Sequence, residues 1–265
     1  MDNPVYAPFQ NQENHANGWL RGENPRKETP RAETDPADMN RNQVMLFAQD
    51  LKRTYTAVKN AHRDLEQSYM DTLNCLILAS EYKDDNTGSH LKRIGSFSVL
   101  IAKELELPDP MVEQIGLASA MHDIGKIGIP DHILLKKGKL SKSEFAVMKT
   151  HTLIGARILE GTHSEILRLA HNIAISHHEW WNGEGYPCGL KGTQIPLEGR
   201  IVALADFFDA CTSHRPYREA MPLDTVLKMI RRERGRQFEP RLVDLFLRKH
   251  REIRQLMRNH EPQRV

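Results

Sequence analysis

From Leu51 to Leu73 the apolar and aromatic side chains step by three or four residues: Leu51, Tyr55, Val58, Leu65, Tyr69 and Leu73, with His62 on the same line. That spacing keeps one face of a helix apolar and predicts a long helix. Two readings fit the stripe. It packs on the chain's own domain, or it joins two subunits in a parallel coiled coil, for which His62 and the tyrosines make a mediocre seam. Before it, residues 1 to about 40 carry prolines at 4, 8, 25, 30 and 36 and show no apolar period, which predicts a disordered arm.

After about residue 90 helical spacing returns and persists. "HLKRIGSFSVLIAKEL" closes ahead of Pro108, and Asp109 with Pro110 opens "DPMVEQIGLASAMHD". Ser141 and Glu144 form a capping-box pattern before "FAVMKTHTLIGARIL". "SEILRLAHNIAISHHEWW", "LEGRIVALADFFDACTS", "LDTVLKMIRRER" and a final helix "PRLVDLFLRKHREIRQLM" follow. No alternation of period two persists, so the predicted fold class is all-α, a helical bundle preceded by a long N-terminal helix. The expected segments are an arm over 1–42, the long helix over 43–72, the bundle over 73–258 and a tail over 259–265.

Composition narrows the function classes. A formal charge of +2 argues against binding a nucleic-acid polymer. The longest apolar runs, "LNCLILA" and "IVALA", are too short for a membrane span, and the first residues have neither the basic flank nor the apolar core of a signal peptide. Cys75, Cys188 and Cys211 show no CxxC spacing, which fits a reduced compartment and disfavours a zinc–thiolate site. The expected location is cytoplasmic. What stands out is 13 histidines.

Several of these sit where apolar residues are expected. His122 continues the line of Ile115 and Ala118, and Asp123 is next to it. His151 lines up with Val147, Ile154 and Ile158, and Asp206 is embedded in "IVALADFFDA", where an unpartnered carboxylate is costly. His177 and His178 end the helix that begins near Ser164. Neighbours on a helix diverge by about 100°, so this pair is expected to reach different ions rather than one. Singly, each position has a bland reading: a hydrogen-bonded core histidine, a capping or arginine-paired aspartate, a plain turn at Gly185, Tyr186 and Pro187. Together they converge on one metal centre. Imidazole and carboxylate without thiolate suits Mn, Fe or Zn. Two such ions about 3.5–4 Å apart generate hydroxide near neutral pH and neutralise phosphoryl oxygens.

"HDIGK" at 122–126 and "HHEWWNGEGYP" at 177–187 together resemble the HD-GYP family, the cyclic di-GMP phosphodiesterase branch of the HD superfamily. "EYKDDNTGSHLKRIG", "ILLKKGKLSKSEFAVMKTHTLIGARIL" and "GRIVALADFFDACTSHRPYR" resemble the other family blocks in order, so the resemblance spans roughly 70–255. It implies an HD-domain bundle that hydrolyses bis-(3′,5′)-cyclic di-GMP to linear pGpG, or on to GMP, by attack of a metal-bridging hydroxide. It implies the metal ligands His90, His122, Asp123, His151, His177, His178 and Asp206, of which His90 comes from the resemblance alone. Lys126 is implied near the metals as a charge neutraliser or proton donor. Gly185, Tyr186 and Pro187 are implied to shape the substrate pocket, and Arg215 and Arg218 to clamp phosphate.

Some members carry a glutamate four residues before the first histidine and hold a third metal there; this chain has Asn86, which favours two divalent ions, Fe or Mn, over three. Asn182 stands where many relatives have aspartate, away from the expected ligands. Implied partners are the cyclic dinucleotide, a GGDEF-type cyclase or sensor, and a second copy through the N-terminal helix. Rival readings are a non-catalytic cyclic dinucleotide receptor or scaffold, and a phosphodiesterase for another cyclic dinucleotide such as 3′,3′-cGAMP.

Overall fold

The structure, a computed structural model, describes residues 36–259 other than 82, 84–87 and 215–218. The expected arm therefore lies outside the described residues up to position 35, and so do Asn86, Arg215 and Arg218. Every regular element described is helical; among the described residues there is no strand, only an isolated bridge between Arg234 and Phe238. No described helix is long and apolar enough to cross a membrane.

Two compact units divide the chain, residues 1–62 and 63–265. In the first, the described residues are the opening turns of helix α1 (Pro36–Glu81), and Val44, Leu51, Tyr55 and Val58 all lie at least 60% exposed. The apolar stripe read from the sequence is thus uncovered here. It meets a core only from Tyr69 on, where Leu73 and Ile77 are buried in the second unit.

The second unit is built around α8 (Leu197–Thr212), whose run Ile201 to Ala205 and Phe208 are buried. A helix apolar nearly all round has to sit inside the bundle. Helix α2 (Gly88–Glu104) packs on it and on α3 (Asp109–Ser119). Phe208 is met edge-on by Phe97 at 4.9 Å and Phe246 at 5.0 Å. Asp109 and Pro110 do open α3, and its last turn gives way to a 3₁₀ turn (Ile124–Gly128) and the short α4 (Asp131–Leu134).

The stretch expected as one helix from Phe145 to Leu159 is two, α5 (Lys142–Lys149) and α6 (His151–Ile158), which break at Thr150. The capping box forms: Glu144 N donates to Ser141 Oγ at 3.2 Å and Ser141 N donates to the Glu144 carboxylate at 2.7 Å. Of the predicted line, His151 is buried, but Val147 on α5 and Ile158 on α6 are exposed; the buried face of α6 is His151, Thr152, Gly155 and Ala156. Small residues face inward there because the 3₁₀ turn comes within backbone contact. A Cβ on Gly125 would stand 1.9 Å from the His151 carbonyl and 2.4 Å from Gly155 N.

Helix α7 (Glu165–Ser176) packs against α3, α6 and α8. Helices α9 (Leu223–Arg232), α10 (Pro240–Arg248) and α11 (His250–Asn259) complete the unit. The last two replace the single final helix that the sequence predicted, with the break at Lys249.

Candidate metal centre

Three of the expected ligands share one local design. His122 lies in the turn after α3, His151 follows the end of α5, and His177 caps α7. In each case the ring Nδ1 faces a carbonyl of the helical turn just before it: Ser119 at 2.9 Å, Met148 at 2.8 Å, and Ile173 at 3.0 Å with Ala174 at 3.1 Å. Carbonyls at a helix end lack intrahelical partners. They have no proton to give, so each Nδ1 is the donor, and Nε2 is the ring atom turned toward the centre. The sequence reading placed His122, His177 and His178 within helices; they stand just beyond helix ends, and that frees the rings to turn inward.

His90 is held differently. Its Nδ1 meets Asp209 Oδ2 at 2.6 Å, and the fully buried Asp209 also accepts from Arg93, through Nε and through the terminal nitrogen at 3.1 Å. The partner is again an acceptor, so His90 too presents Nε2.

The side chains gather into two groups that could each hold a metal ion: Asp123, His151, His177 and His178, and His90, His122 and Asp206. In the first, Asp123 Oδ1 lies 3.3 Å from His151 Nε2 and 3.7 Å from His177 Nε2, and the two ring nitrogens are 3.4 Å apart. In the second, Asp206 Oδ1 is 3.9 Å from the Nε2 of both His90 and His122. Asp123 faces both groups, because its Oδ2 lies 3.3 Å from His122 Nε2 and 2.7 Å from Lys126 Nζ. The sequence reading expected His177 and His178 to reach different ions; here both side chains fall in the first group, with ring centroids 4.1 Å apart.

The electrostatics follow from this crowding. Burial, the largest influence on His151 and His178, holds both imidazoles below their ordinary range, His151 down to about 4. Burial also disfavours the charged form of His122, but the Asp123 carboxylate outweighs it and brings that ring up to about 9. Asp123 is held well below the carboxylate range by Lys126 and His122 against the opposing effect of burial. For Asp209, burial acts upward and the hydrogen bonds from His90 and Arg93 prevail, leaving it lowered.

A divalent cation fits these residues. His122 Nε2 and Asp123 Oδ1 are buried polar atoms with no hydrogen-bond partner. The cluster around Asp123 Oδ1 brings one carboxylate oxygen and two imidazole Nε2 atoms within 3.7 Å of one another, a donor set that a shared cation would bind.

The glycine loop after His178 forms one side of this centre. Tyr186 stacks on His178, with centroids 4.8 Å apart and planes at 27°, and burial pushes its phenol further up, so it stays a donor. The buried Glu179 accepts from the backbone N–H of Cys188 at 2.6 Å and of Leu190 at 3.0 Å and so fastens the loop, with Gly185 and Pro187 inside it. A Cβ on Gly185 would come within 2.2 Å of Trp180 N, so this position has no room for a side chain. Sequence reasoning missed Asp209, Arg93 and Glu179. The first two had a signal: Asp209 follows Asp206 by three on one helix, and Arg93 follows His90 by three on another.

The HD-domain profile matches residues 75–242. A cyclic di-GMP phosphodiesterase of Thermotoga maritima is 44% identical over 198 residues, which is 75% of this chain and 54% of that protein. A 3′3′-cGAMP-specific phosphodiesterase of Vibrio cholerae is 34% identical over 215 residues, covering 81% of this chain and 41% of that one. The chain thus spans about half the length, or less, of these relatives. The crystal structure of a cyclic GMP-AMP-specific phosphodiesterase of V. cholerae shares the fold at a TM-score of 0.54 and 20% identity, over 73% of this chain and 51% of that one.

Proposed function

Since the chain belongs to the HD-domain family, we propose that it is a metal-dependent phosphodiesterase that opens cyclic di-GMP to linear pGpG. The observation that carries this reading is the gathering of imidazole and carboxylate ligand atoms into two adjacent groups, with Asp123 of the first also lying against His122 of the second. His90, His122 and Asp206 would hold one ion, and Asp123, His151, His177 and His178 the other. Fe or Mn suits a set of imidazoles and carboxylates without thiolate. Divalent ions at such a centre polarise phosphoryl oxygens and activate water near neutral pH.

The chain's own residues account for the rest. Asp209 and Arg93 fix the His90 ring so that only Nε2 faces the centre. Lys126, against Asp123, places a positive charge where a phosphate would approach, and it can pass a proton to a leaving 3′-oxygen. Tyr186, braced on His178, offers a phenol donor at the mouth. By the HD-GYP pattern Arg215 and Arg218, which lie outside the described residues, would clamp phosphate.

A second substrate reading has one observation in its favour, the V. cholerae relative named for 3′3′-cGAMP. One experiment separates the readings. Protein loaded anaerobically with Fe(II) or Mn(II) is incubated with cyclic di-GMP or 3′,3′-cGAMP and the products are resolved by chromatography, with Asp123→Ala as control. The expected result is pGpG from cyclic di-GMP, absent in the control. Faster turnover of 3′,3′-cGAMP would move the assignment to that substrate. Binding without turnover on either metal would make the chain a receptor.

A further inference from the structure

Phe145 stands on α5 with 47% of its surface exposed. A solitary exposed apolar side chain is ordinary, and Leu135 and Leu153 are equally exposed. The surroundings of Phe145 set it apart. Its ring meets Tyr186 edge to face, with centroids 6.4 Å apart at 79°, and Tyr186 is the ring that stacks on His178. One turn further along α5, Lys149 Nζ lies 5.5 Å from the centroid of Phe145 and 5.4 Å from that of Tyr186. An aromatic surface therefore begins at a candidate metal ligand and runs outward to Phe145, with an ammonium held against both outer rings.

We propose that Phe145 and Lys149 form a base-recognition subsite in which Phe145 stacks a purine of the cyclic dinucleotide and Lys149 selects guanine. This inference rests on the phosphodiesterase reading and names what sets its base preference. A base has an apolar face that an exposed phenyl ring can cover, and stacking of this kind is indifferent to which base it holds. Selection has to come from a polar group beside the ring. Guanine presents two acceptors on one edge, O6 and N7, whereas adenine presents an acceptor and the N6 amino donor. Lysine has three donors and no acceptor, so it satisfies the guanine edge and meets the adenine amino group donor to donor. The cation–π contacts keep that ammonium beside the platform instead of free in solvent. Phosphate held at the metal centre would then leave one base to this surface.

The two side chains separate in a test, and neither belongs to the buried core, Phe145 being exposed and Lys149 half-buried. Phe145→Ala, Phe145→Tyr and Lys149→Met are compared with the parent chain, all loaded with Mn(II). Turnover and equilibrium binding are measured for cyclic di-GMP, 3′,3′-cGAMP and cyclic di-AMP, with metal content and melting temperature recorded for each. Phe145→Ala is expected to raise KM and Kd for all three roughly ten- to a hundredfold with kcat little changed, and Phe145→Tyr to restore them. Lys149→Met is expected to reduce the preference for cyclic di-GMP over cyclic di-AMP about tenfold, with metal content unchanged.

A parent chain that handles cyclic dinucleotides while Phe145→Ala matches it would overturn the platform. A parent with no preference for guanine, or a Lys149→Met variant that keeps it, would overturn the selection. A parent that neither binds nor hydrolyses any of the three would sink the phosphodiesterase reading and this inference together.

Discussion

Asp209 never faces the centre, yet it determines what His90 can do there. It fixes the tautomer of that ring and shares its charge with Arg93; Asp209 and His90 are buried and Arg93 is partly so. Asp209→Asn keeps the shape and weakens the charge-assisted bond. Loss of such a supporting carboxylate typically costs about 10–100-fold in metal affinity. The expected outcome is a protein that retains the ion at Asp123, His151, His177 and His178 through dialysis against a weak chelator and loses the other, as read by elemental analysis. Equal retention of both would show His90 to be oriented by something else. Truncation to alanine is the poorer test, since stranding a buried partner charge costs about 3–5 kcal/mol of stability.

The ring titrations give a second expectation at this scale. His151 and His178 are lowered in the folded chain, so the unfolded chain binds more protons below its own histidine pKa near 6.5. Metal-free protein should therefore lose stability as the pH falls from about 6.5 toward 4. His122 acts in the opposite direction. Its raised pKa contributes stability that is complete below about 6.5 and is lost as the pH rises through about 9. Loading at pH 7 must then displace a proton from His122, which calorimetry in buffers of different ionisation heat would detect.

At the scale of elements, the meeting of the 3₁₀ turn with α6 is the least forgiving contact. It brings Asp123 and Lys126 up to His151, and it relies on Gly125 and Gly155 being bare. Gly125→Ala would have to push backbone away from backbone, at a cost of about 1–3 kcal/mol. Urea unfolding should show that loss, and metal titration should show weaker loading because the carboxylate moves off the histidine. Unchanged stability would mean that the turn yields without strain.

What the sequence revealed of these elements depended on the physics behind each signal. The capping box, the start of α3 and the buried length of α8 are local or strongly periodic, and they were legible. The breaks at Thr150 and Lys249 were not, because the helical spacing runs through both while tertiary packing ends the helix. Asp123, His122 and His151 were legible as inward-facing, but their grouping depends on rings turned by carbonyls at helix ends, which no spacing records. His90 needed the family pattern, and Arg93, Asp209 and Glu179 act through other residues.

At the scale of the whole molecule, α1 leaves Val44, Leu51, Val58 and Leu65 at least 60% exposed at intervals of seven residues. A sustained seven-residue apolar repeat in water calls for a partner helix. We propose that a second copy supplies it, and expect sedimentation to give a dimer that Leu51→Glu with Val58→Glu converts to monomer. A monomeric parent would refute the pairing. The bundle that follows ends three of its helices at histidines, each hung from the carbonyls just behind it, and α5 and α7 deliver theirs to one ligand group. An ion bound there would be a clasp across parts of the chain distant in sequence. At a hundredfold excess over its Kd it would add about 2.7 kcal/mol, or roughly 5–10 °C in melting temperature, with chelator removing the gain. Emptying the centre and loosening the bundle would then be a single event, so a protein that had begun to come apart would fall silent before it misfired.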